Sequence, residues 1–335
     1  MAEDFQLAYR LVEPGEEEKV RGLFEEVFRK PMSMDHWMWK YRNGLFGEAV
    51  NIVAVNGEGE IVGHFGAQPA PFQSGGTAYR AAQLMDGMLK REYRAKGLYV
   101  KLCEEFFRIC DERGLELVFG FPEERMFHVV CCFKEPFKAD DIYQYAKDLR
   151  GGGKPRTWKG LADGILARLG TGTFRLDPME AGDPRASRLW ESFQRSCPAG
   201  IVRTRDYLRW RYDDHPEFRY LKLAMNWRGG DGDIPVAYWV VREDGPRAWL
   251  LEGFCRTPLA FYWRVGLMRL ESFLAARGVR ELVAFTPRWH FTRRILEETG
   301  YAPSFQGRLA ARMGPGTPRE ITRGWYFACG DHDAF

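Results

Sequence analysis

The sequence predicts an α+β fold built twice, each copy a mixed, mostly antiparallel sheet flanked by helices. One observation behind this is an internal repeat. "DHWMWKY" at Asp35–Tyr41 returns as "DYLRWRY" at Asp206–Tyr212, which sets Trp39 and Trp210 171 residues apart with a cation and a second aromatic in step. Three more pairs keep the same order: "AYRLVEP" (Ala8–Pro14) with "TFRLDPM" (Thr173–Met179), "LFEEVF" (Leu23–Phe28) with "LWESFQ" (Leu189–Gln194), and "GLELVFGFP" (Gly114–Pro122) with "GVRELVAFTP" (Gly278–Pro287). The other observation is that each copy runs strand, helices, hairpin, strand, helix, strand, an order that builds a mixed sheet covered by helices. "GGGKP" at Gly151–Pro155 reads as a linker. The expected division is therefore a domain over 1–150, a linker over 151–171 and a second domain over 172–335.

The elements of the first copy follow from local pattern. A short strand near Leu7–Leu11 precedes a helix over Glu16–Arg29, and Trp37–Tyr41 form a second amphipathic turn. Two apolar runs flank Asn56-Gly57-Glu58-Gly59, a hairpin signal with glycines where positive φ is needed. A strand covers Ala82–Leu89. The helix after it carries Tyr99, Cys103, Phe106 and Cys110 on one face, and Gly114 is placed to end it. Glu116–Phe121 is the next strand. The second copy repeats this with hairpin strands Tyr220–Asn226 and Val236–Val241, a strand at Ala248–Phe254, a helix over Leu259–Ala276 and a strand at Glu281–Thr286.

Composition narrows the function classes. At 335 residues with 45% hydrophobic content, two domains can each bury a core. Forty-nine Lys and Arg against 46 Asp and Glu, interspersed along the chain, leave no nucleic-acid footprint. No apolar run approaches the ~20 residues that span a bilayer, and the acidic start differs from a secretory signal. The expectation is a cytoplasmic protein that meets neither membrane nor nucleic acid, with its oligomeric state open. Seven cysteines without C-x-x-C spacing suggest neither a disulfide framework nor a zinc ribbon. Reduced, mostly buried thiols are expected.

The junction "LKREYRAKGLYVKL", Leu89–Leu102, carries the most chemical information. A strand running into a helix through Arg94-Ala95-Lys96-Gly97 exposes free backbone N–H groups where the helix dipole favours an anion. Gly97 lets a ligand approach the backbone, and Arg91, Arg94 and Lys96 add positive charge, which together describe a diphosphate cradle. In position and order this segment resembles the acyl-CoA-binding segment of the GNAT N-acetyltransferase superfamily, whose pattern is Arg or Gln, two residues, Gly, one residue, then Gly or Ala. Arg94 and Gly97 match, and Tyr99 replaces the last small residue.

The resemblance, extended by the repeat, implies a tandem GNAT protein that uses acetyl-CoA or another acyl-CoA and no metal. It implies cofactor contacts at Met88, Leu89, Lys90, Arg94, Ala95, Lys96, Gly97, Leu98 and Tyr99. "VFGFPEERMFHVVCCF" (Val118–Phe133) resembles a "GFPN" segment of one group of these enzymes, with Glu123 in place of asparagine. In that group an acid sits at the position of Asp86, the candidate base or substrate-orienting residue; Gln83, where other members place a glutamate, cannot take a proton. Cys131 and Cys132 stand near the place of the usual acidic tyrosine and read as packing. The second copy has no glycine between Gly253 and Gly266, and Thr257-Pro258 read as a helix cap and first helical residue, so one cofactor site is expected. Glu252 is the second catalytic candidate, aligned with the Asp86 region. The tail after Gly330, with Asp331, His332, Asp333 and the carboxylate of Phe335, reads as a solvated end rather than a base or a metal site. The tryptophans and tyrosines of the repeated motif read as core.

The reaction implied is acyl transfer from the thioester to a primary amine of a small molecule, amino sugar, aminoacyl compound or protein, by direct attack in a ternary complex. A non-catalytic acyl-CoA sensor and an aminoacyl transferase of the FemAB type are the rival classes, and fold alone does not separate them.

Overall fold

The computed structural model describes residues 6–42, 44–94, 97–122, 127, 137–150, 174–229, 232–256 and 260–332. The expected linker 151–171 lies outside them, as do Ala95, Lys96, Glu123, Cys131, Cys132, Thr257, Pro258, Asp333 and Phe335. The chain divides into two units, the first of residues 1–72, 78–138 and 309–319, the second of 73–77, 139–308 and 320–335.

In the first unit β1 (Ala8–Leu11) lies antiparallel on β2 (Val50–Val55), and β2 on β3 (Ile61–Ser74). The turn between β2 and β3 is closed by Asn56, whose Oδ1 accepts from the N–H groups of Glu58 and Glu60, with Gly59 at φ 82°. β3 turns through Gly75 and Gly76 into β4 (Thr77–Leu89), which runs parallel to β5 (Leu117–Gly120). β5 in turn pairs antiparallel with Leu309–Met313.

Side-chain alternation along these strands sends apolar groups to both faces. One face carries α3 (Leu98–Glu112), whose buried stripe Leu98, Leu102, Cys103, Phe106, Phe107 and Cys110 packs on Ile52, Ala54, Val62, Phe65, Ala82 and Val118. The other carries α1 (Glu17–Phe28), with Val20 and Leu23 against Val53, Val55, Ile61 and Met88, and α2 (Met34–Tyr41), with Trp37 and Tyr41 against Met85.

The alternation breaks once on β4. Leu84 packs on the α3 side, Met85 on the α2 side, Asp86 again toward α2, and a Cβ at Gly87 would meet Phe65 and Tyr99 on the α3 side. Two successive residues facing one way, with Asp86 at φ 48°, are a β-bulge. Register to β5 stops at Gln83↔Phe119, while β4 runs on to Leu89.

The second unit repeats the plan. β7 (Phe174–Pro178) lies on β9 (Leu221–Gly229), β9 on β10 (Gly232–Asp244) and β10 on β11 (Arg247–Cys255), all antiparallel. β11 is parallel to β12 (Glu281–Phe285), with register from Arg247↔Glu281 to Leu250↔Ala284. The helices are α4 (Pro184–Gln194), α5 (Arg205–Leu208), α6 (Ala260–Ala276) and α7 (Phe291–Glu298). A short strand, β8 (Ala199–Ile201), takes β14 (Trp325–Tyr326) in parallel.

Two twelve-residue strands pair out of chain order. Gln144–Asp148 of β6 (Phe137–Asp148) pair with β12, and the last residues of β13 (Ala302–Met313) pair with β5. The units therefore do not follow chain order at these strands, unlike the simple division into 1–150 and 172–335.

Cys103, Cys110, Cys197, Cys255 and Cys329 are free and buried. Among the described residues no helix is long and apolar enough to cross a membrane.

Packing is tightest where α6 crosses the sheet of the second unit. A Cβ on Gly266 would lie 1.9 Å from Cη2 of the fully buried Trp239. Gly266→Ala should lower the urea midpoint by an amount equivalent to about 1–3 kcal/mol, the usual cost of overpacking, whereas Gly57→Ala, with open space around it, should leave the midpoint nearly unchanged.

Candidate active site

The junction between β4 and α3 is built as an opening. Gly97 takes φ 70°, and a Cβ placed on it would meet no atom within 4 Å. α3 begins at the next residue, so its first N–H groups have no partner within the helix. Arg94 is exposed, and its Nε donates to the carbonyl of Leu89 at 2.9 Å, which ties the arginine to the end of β4.

The other expected contacts divide by burial. Met88, Leu89 and Leu98 are core side chains, so only their backbone is available to a ligand. Lys90 forms ion pairs with Glu26 and Glu60, which spend most of its charge locally. Tyr99 is half-buried against Phe65, its hydroxyl above Gly87. The large residue at this helix position is thus turned into the sheet rather than across the opening at Gly97.

Asp86 sits at the bulge with its carboxylate already engaged. Lys40 Nζ lies 2.9 Å from Oδ1 and 2.8 Å from Oδ2, and the Tyr41 hydroxyl donates to Oδ2 at 2.5 Å. Its main-chain carbonyl is 3.0 Å from Nδ1 of the fully buried His64, whose Nε2 faces the Asn51 carboxamide at 3.2 Å. α2 is aimed at this point by its N-cap, where Ser33 Oγ accepts from His36 N–H.

Burial pushes the Asp86 carboxyl up, but the Lys40 ammonium and the Tyr41 hydrogen bond outweigh it and hold the group below the ordinary carboxylate range. It is a fixed negative charge more than a poised proton acceptor. Burial drives His64 down to about 4, so the ring is neutral and its Nδ1–H donates to Asp86.

The second unit carries the same motif. Thr204 Oγ1 accepts from Tyr207 N–H as Ser33 does from His36, and the hydroxyl of Tyr212, 171 residues after Tyr41, donates to Glu252 on β11 at 2.9 Å. The cation differs: Arg203, fully buried, places Nε 3.2 Å from Glu252 and Nη2 2.7 Å from Asp331. Arg211, at the position of Lys40, instead donates to the carbonyls of Gly330 and His332. Burial, reinforced by the charge of Asp331 and opposed by Arg203, raises Glu252 to about 7. Asp86 and Glu252 therefore belong to different units, and Glu252 is wholly enclosed by protein.

One expectation is corrected here. The tail is not solvated up to His332: Asp331 is 2% exposed because Arg203, inside the fold, requires its charge. Among the described residues no group of three or more His, Cys, Asp or Glu side chains is placed to hold a metal. Lys40 and His64 had no role in the sequence reading, and Tyr41 figured only as an aromatic. The signal that could have found the tyrosine is the repeat itself, which keeps Tyr41 and Tyr212 in register with one acid each.

Residues 8–129 match the model of the acetyltransferase (GNAT) domain. A solved structure from Enterococcus faecalis V583, described as a conserved protein of unknown function and probable N-acyltransferase, is similar over 92% of this chain and 73% of its own, with 12% identity and a TM-score of 0.69. A GCN5-related N-acetyltransferase from Anabaena variabilis ATCC 29413 is similar over 92% and 73%, with 13% identity and a TM-score of 0.65. Another from Kribbella flavida covers 93% and 72%, at 12% identity and 0.62. No curated protein matches the sequence. The fold is that of the GNAT acetyltransferases, and residues 8–129 match a GNAT domain.

Both buried histidines bear on stability. His290, which burial lowers to about 3, caps α7 and bonds Thr292 Oγ1 at 2.8 Å. Each histidine is neutral when folded and takes up a proton near pH 6.5 when unfolded, so stability is complete above that pH and erodes as pH falls toward 4. Between pH 6.5 and 5 each should remove about 1–2 kcal/mol. Glu252, raised to about 7, gains stability over the same range and offsets part of this loss, so the difference is the test: between pH 6.5 and 5 the urea midpoint of His64→Gln should fall less than that of the wild type, by the equivalent of about 1–2 kcal/mol.

Proposed function

We propose that the chain transfers an acyl group, acetyl in the first instance, from acyl-CoA to a primary amine, by direct attack in a ternary complex at its first domain. The observation that carries this reading is the course of β4: it leaves β5 after Gln83↔Phe119, bulges at Asp86 and passes through the open Gly97 into α3. Such a split parts two strands where an extended ligand arm can lie, and it ends at a helix N-terminus suited to a diphosphate.

The residues present fit coenzyme A. The amides that follow Gly97, with Arg94 beside them, would hold the diphosphate, and β4 beyond its register with β5 would receive the pantetheine arm. The thioester supplies an activated acyl carbon. Asp86 acts on the other reactant: its fixed charge attracts and orients the amine and stabilises the positive charge that grows on nitrogen as the bond to carbon forms. The C–S bond breaks as the amide forms, coenzyme A leaves as its thiolate and takes up a proton, and the proton lost from nitrogen passes to water beside Asp86. Lys40, Tyr41 and His64 keep that carboxylate ionised and aimed.

The same proposal reads the chain as a duplicated GNAT protein whose second copy, over 172–335, binds no cofactor. The paired Tyr41–Asp86 and Tyr212–Glu252 hydrogen bonds, with their matching caps, support duplication. The acceptor is a small-molecule or peptide amine.

Calorimetry should find one equivalent of coenzyme A per chain; two equal sites would end the claim for the second copy. Gly97→Glu sets a side chain and a negative charge against the helix terminus and should weaken binding by about 10²- to 10⁴-fold, the loss of two charge-assisted contacts of ~1.5–3 kcal/mol each. Asp86→Asn should lower turnover with a panel of primary amines by about 10² while coenzyme A affinity stays nearly constant. Wild-type turnover in that variant would move the role elsewhere.

A further inference from the structure

The gap that β4 and β5 leave open in the first unit has a counterpart in the second. β11 keeps register with β12 only to Leu250↔Ala284 and then runs on to Cys255 paired with β10. This second gap is filled by the chain's own later residues. β14 lies on β8, the Tyr326 hydroxyl donates to the carbonyl of Gly253 on β11, and a tight turn comes next at Cys329–Asp331. The Cys329 thiol bonds the backbone of Phe285 on β12. Gly330 sits so close to β11 that a Cβ there would fall 2.9 Å from the carbonyl oxygen of Leu251 and 2.0 Å from the hydroxyl of Tyr212. Residues 328–332 therefore reach both strands at the place where they part.

Two features separate this segment from the sheet it touches. Its hold on the gap is largely polar: Asp331 on Arg203, and the carbonyls of Gly330 and His332 on Arg211. The hold is also unevenly charged, since Glu252 and Asp331 share the one buried guanidinium of Arg203, and Arg203 keeps Glu252 as a partner if Asp331 departs.

We infer that Ala328–His332 is a plug bound in cis, which closes the gap between β11 and β12 and opens as a unit while the sheet of the second unit stays folded. The inference rests on the proposed function only for what such a gap would otherwise receive, an extended acyl-thioester arm. Cys329 is fully buried, and burial holds its thiol well above the ordinary range, so the closed plug hides a thiol that an open one would expose.

Hydrogen exchange of the full-length chain without coenzyme A tests this. In the wild type, amides 328–332 should exchange at rates insensitive to sub-denaturing urea, the mark of local opening, whereas amides of β9–β11 should exchange by a urea-sensitive route. Asp331→Asn, which leaves the Arg203–Glu252 pair in place, should speed exchange at 328–332 by at least about 10²-fold and make Cys329 the site of fastest maleimide labelling, with β9–β11 still protected. If 328–332 and β9–β11 exchange together in the wild type, the segment is fixed core and the inference fails. It fails equally if Asp331→Asn folds and leaves exchange at 328–332 unchanged. The wild-type urea series stands alone should that variant not fold. Failure of the proposed cofactor site would appear instead in the coenzyme A stoichiometry, which these exchange rates do not involve.

Discussion

The carboxylate of Asp86 binds together elements that the sequence keeps far apart. Lys40 and Tyr41 come from α2 and His64 from β3, and all three meet an aspartate held at φ 48° on β4. A non-glycine residue in that conformation costs about 1–2 kcal/mol, and a carboxylate this deeply buried costs more unless it is paired. The ion pair and hydrogen bonds offset both costs, and in doing so they fix the bulge. Because the bulge turns β4 away from β5, the opening in the sheet and the direction in which the chain enters α3 follow from one buried charge. Loss of Lys40 would thus remove more than a charge partner: it would leave the bulge without the interaction that stabilises it.

The two copies carry this device to different ends. In both, a tyrosine from the short helix before the hairpin donates to an acid on the strand before the long helix. In the first unit one cation meets one acid. In the second, Arg203 meets two, Glu252 and Asp331, and Asp331 arrives on the segment after β14. Complete burial, reinforced by the charge of Asp331, accounts for the rise of Glu252 toward neutrality, while Lys40 and Tyr41 hold Asp86 low. Aspartate and glutamate at matching places thus differ in chemistry because of what surrounds them.

Much of the fold was legible because it rests on periodicity and on glycine. The apolar stripe of α3, the Asn56-Gly57-Glu58-Gly59 turn and the repeated Trp-cation-Tyr triplet all depend on local spacing, which a sequence displays directly. The lengths of β3 and β4 were not legible. The pattern starts the strand before α3 at Ala82, yet β3 continues through Pro69 and Pro71 to Ser74 and β4 begins at Thr77. Nor was the pairing of β6 and β13 out of chain order, since each carries the same pattern whichever parallel pair it joins.

Among the site residues, Gly97 could be read because a backbone conformation was at stake, and only a few residue types adopt it. Asp86 could be singled out as an acid at a telling place, but its partners lie 45 and 46 positions before it on another element, and no spacing rule joins them. Asp331 was misread for the same reason: an acid near a chain end is ordinarily solvated, and the need for it arises only when folding carries Arg203 into a site with no water to share its charge. Local chemistry announces where a ligand can approach the backbone. Which acids remain ionised beside it is decided by charges that tertiary structure brings in, and at both Asp86 and Glu252 those charges stand on other elements.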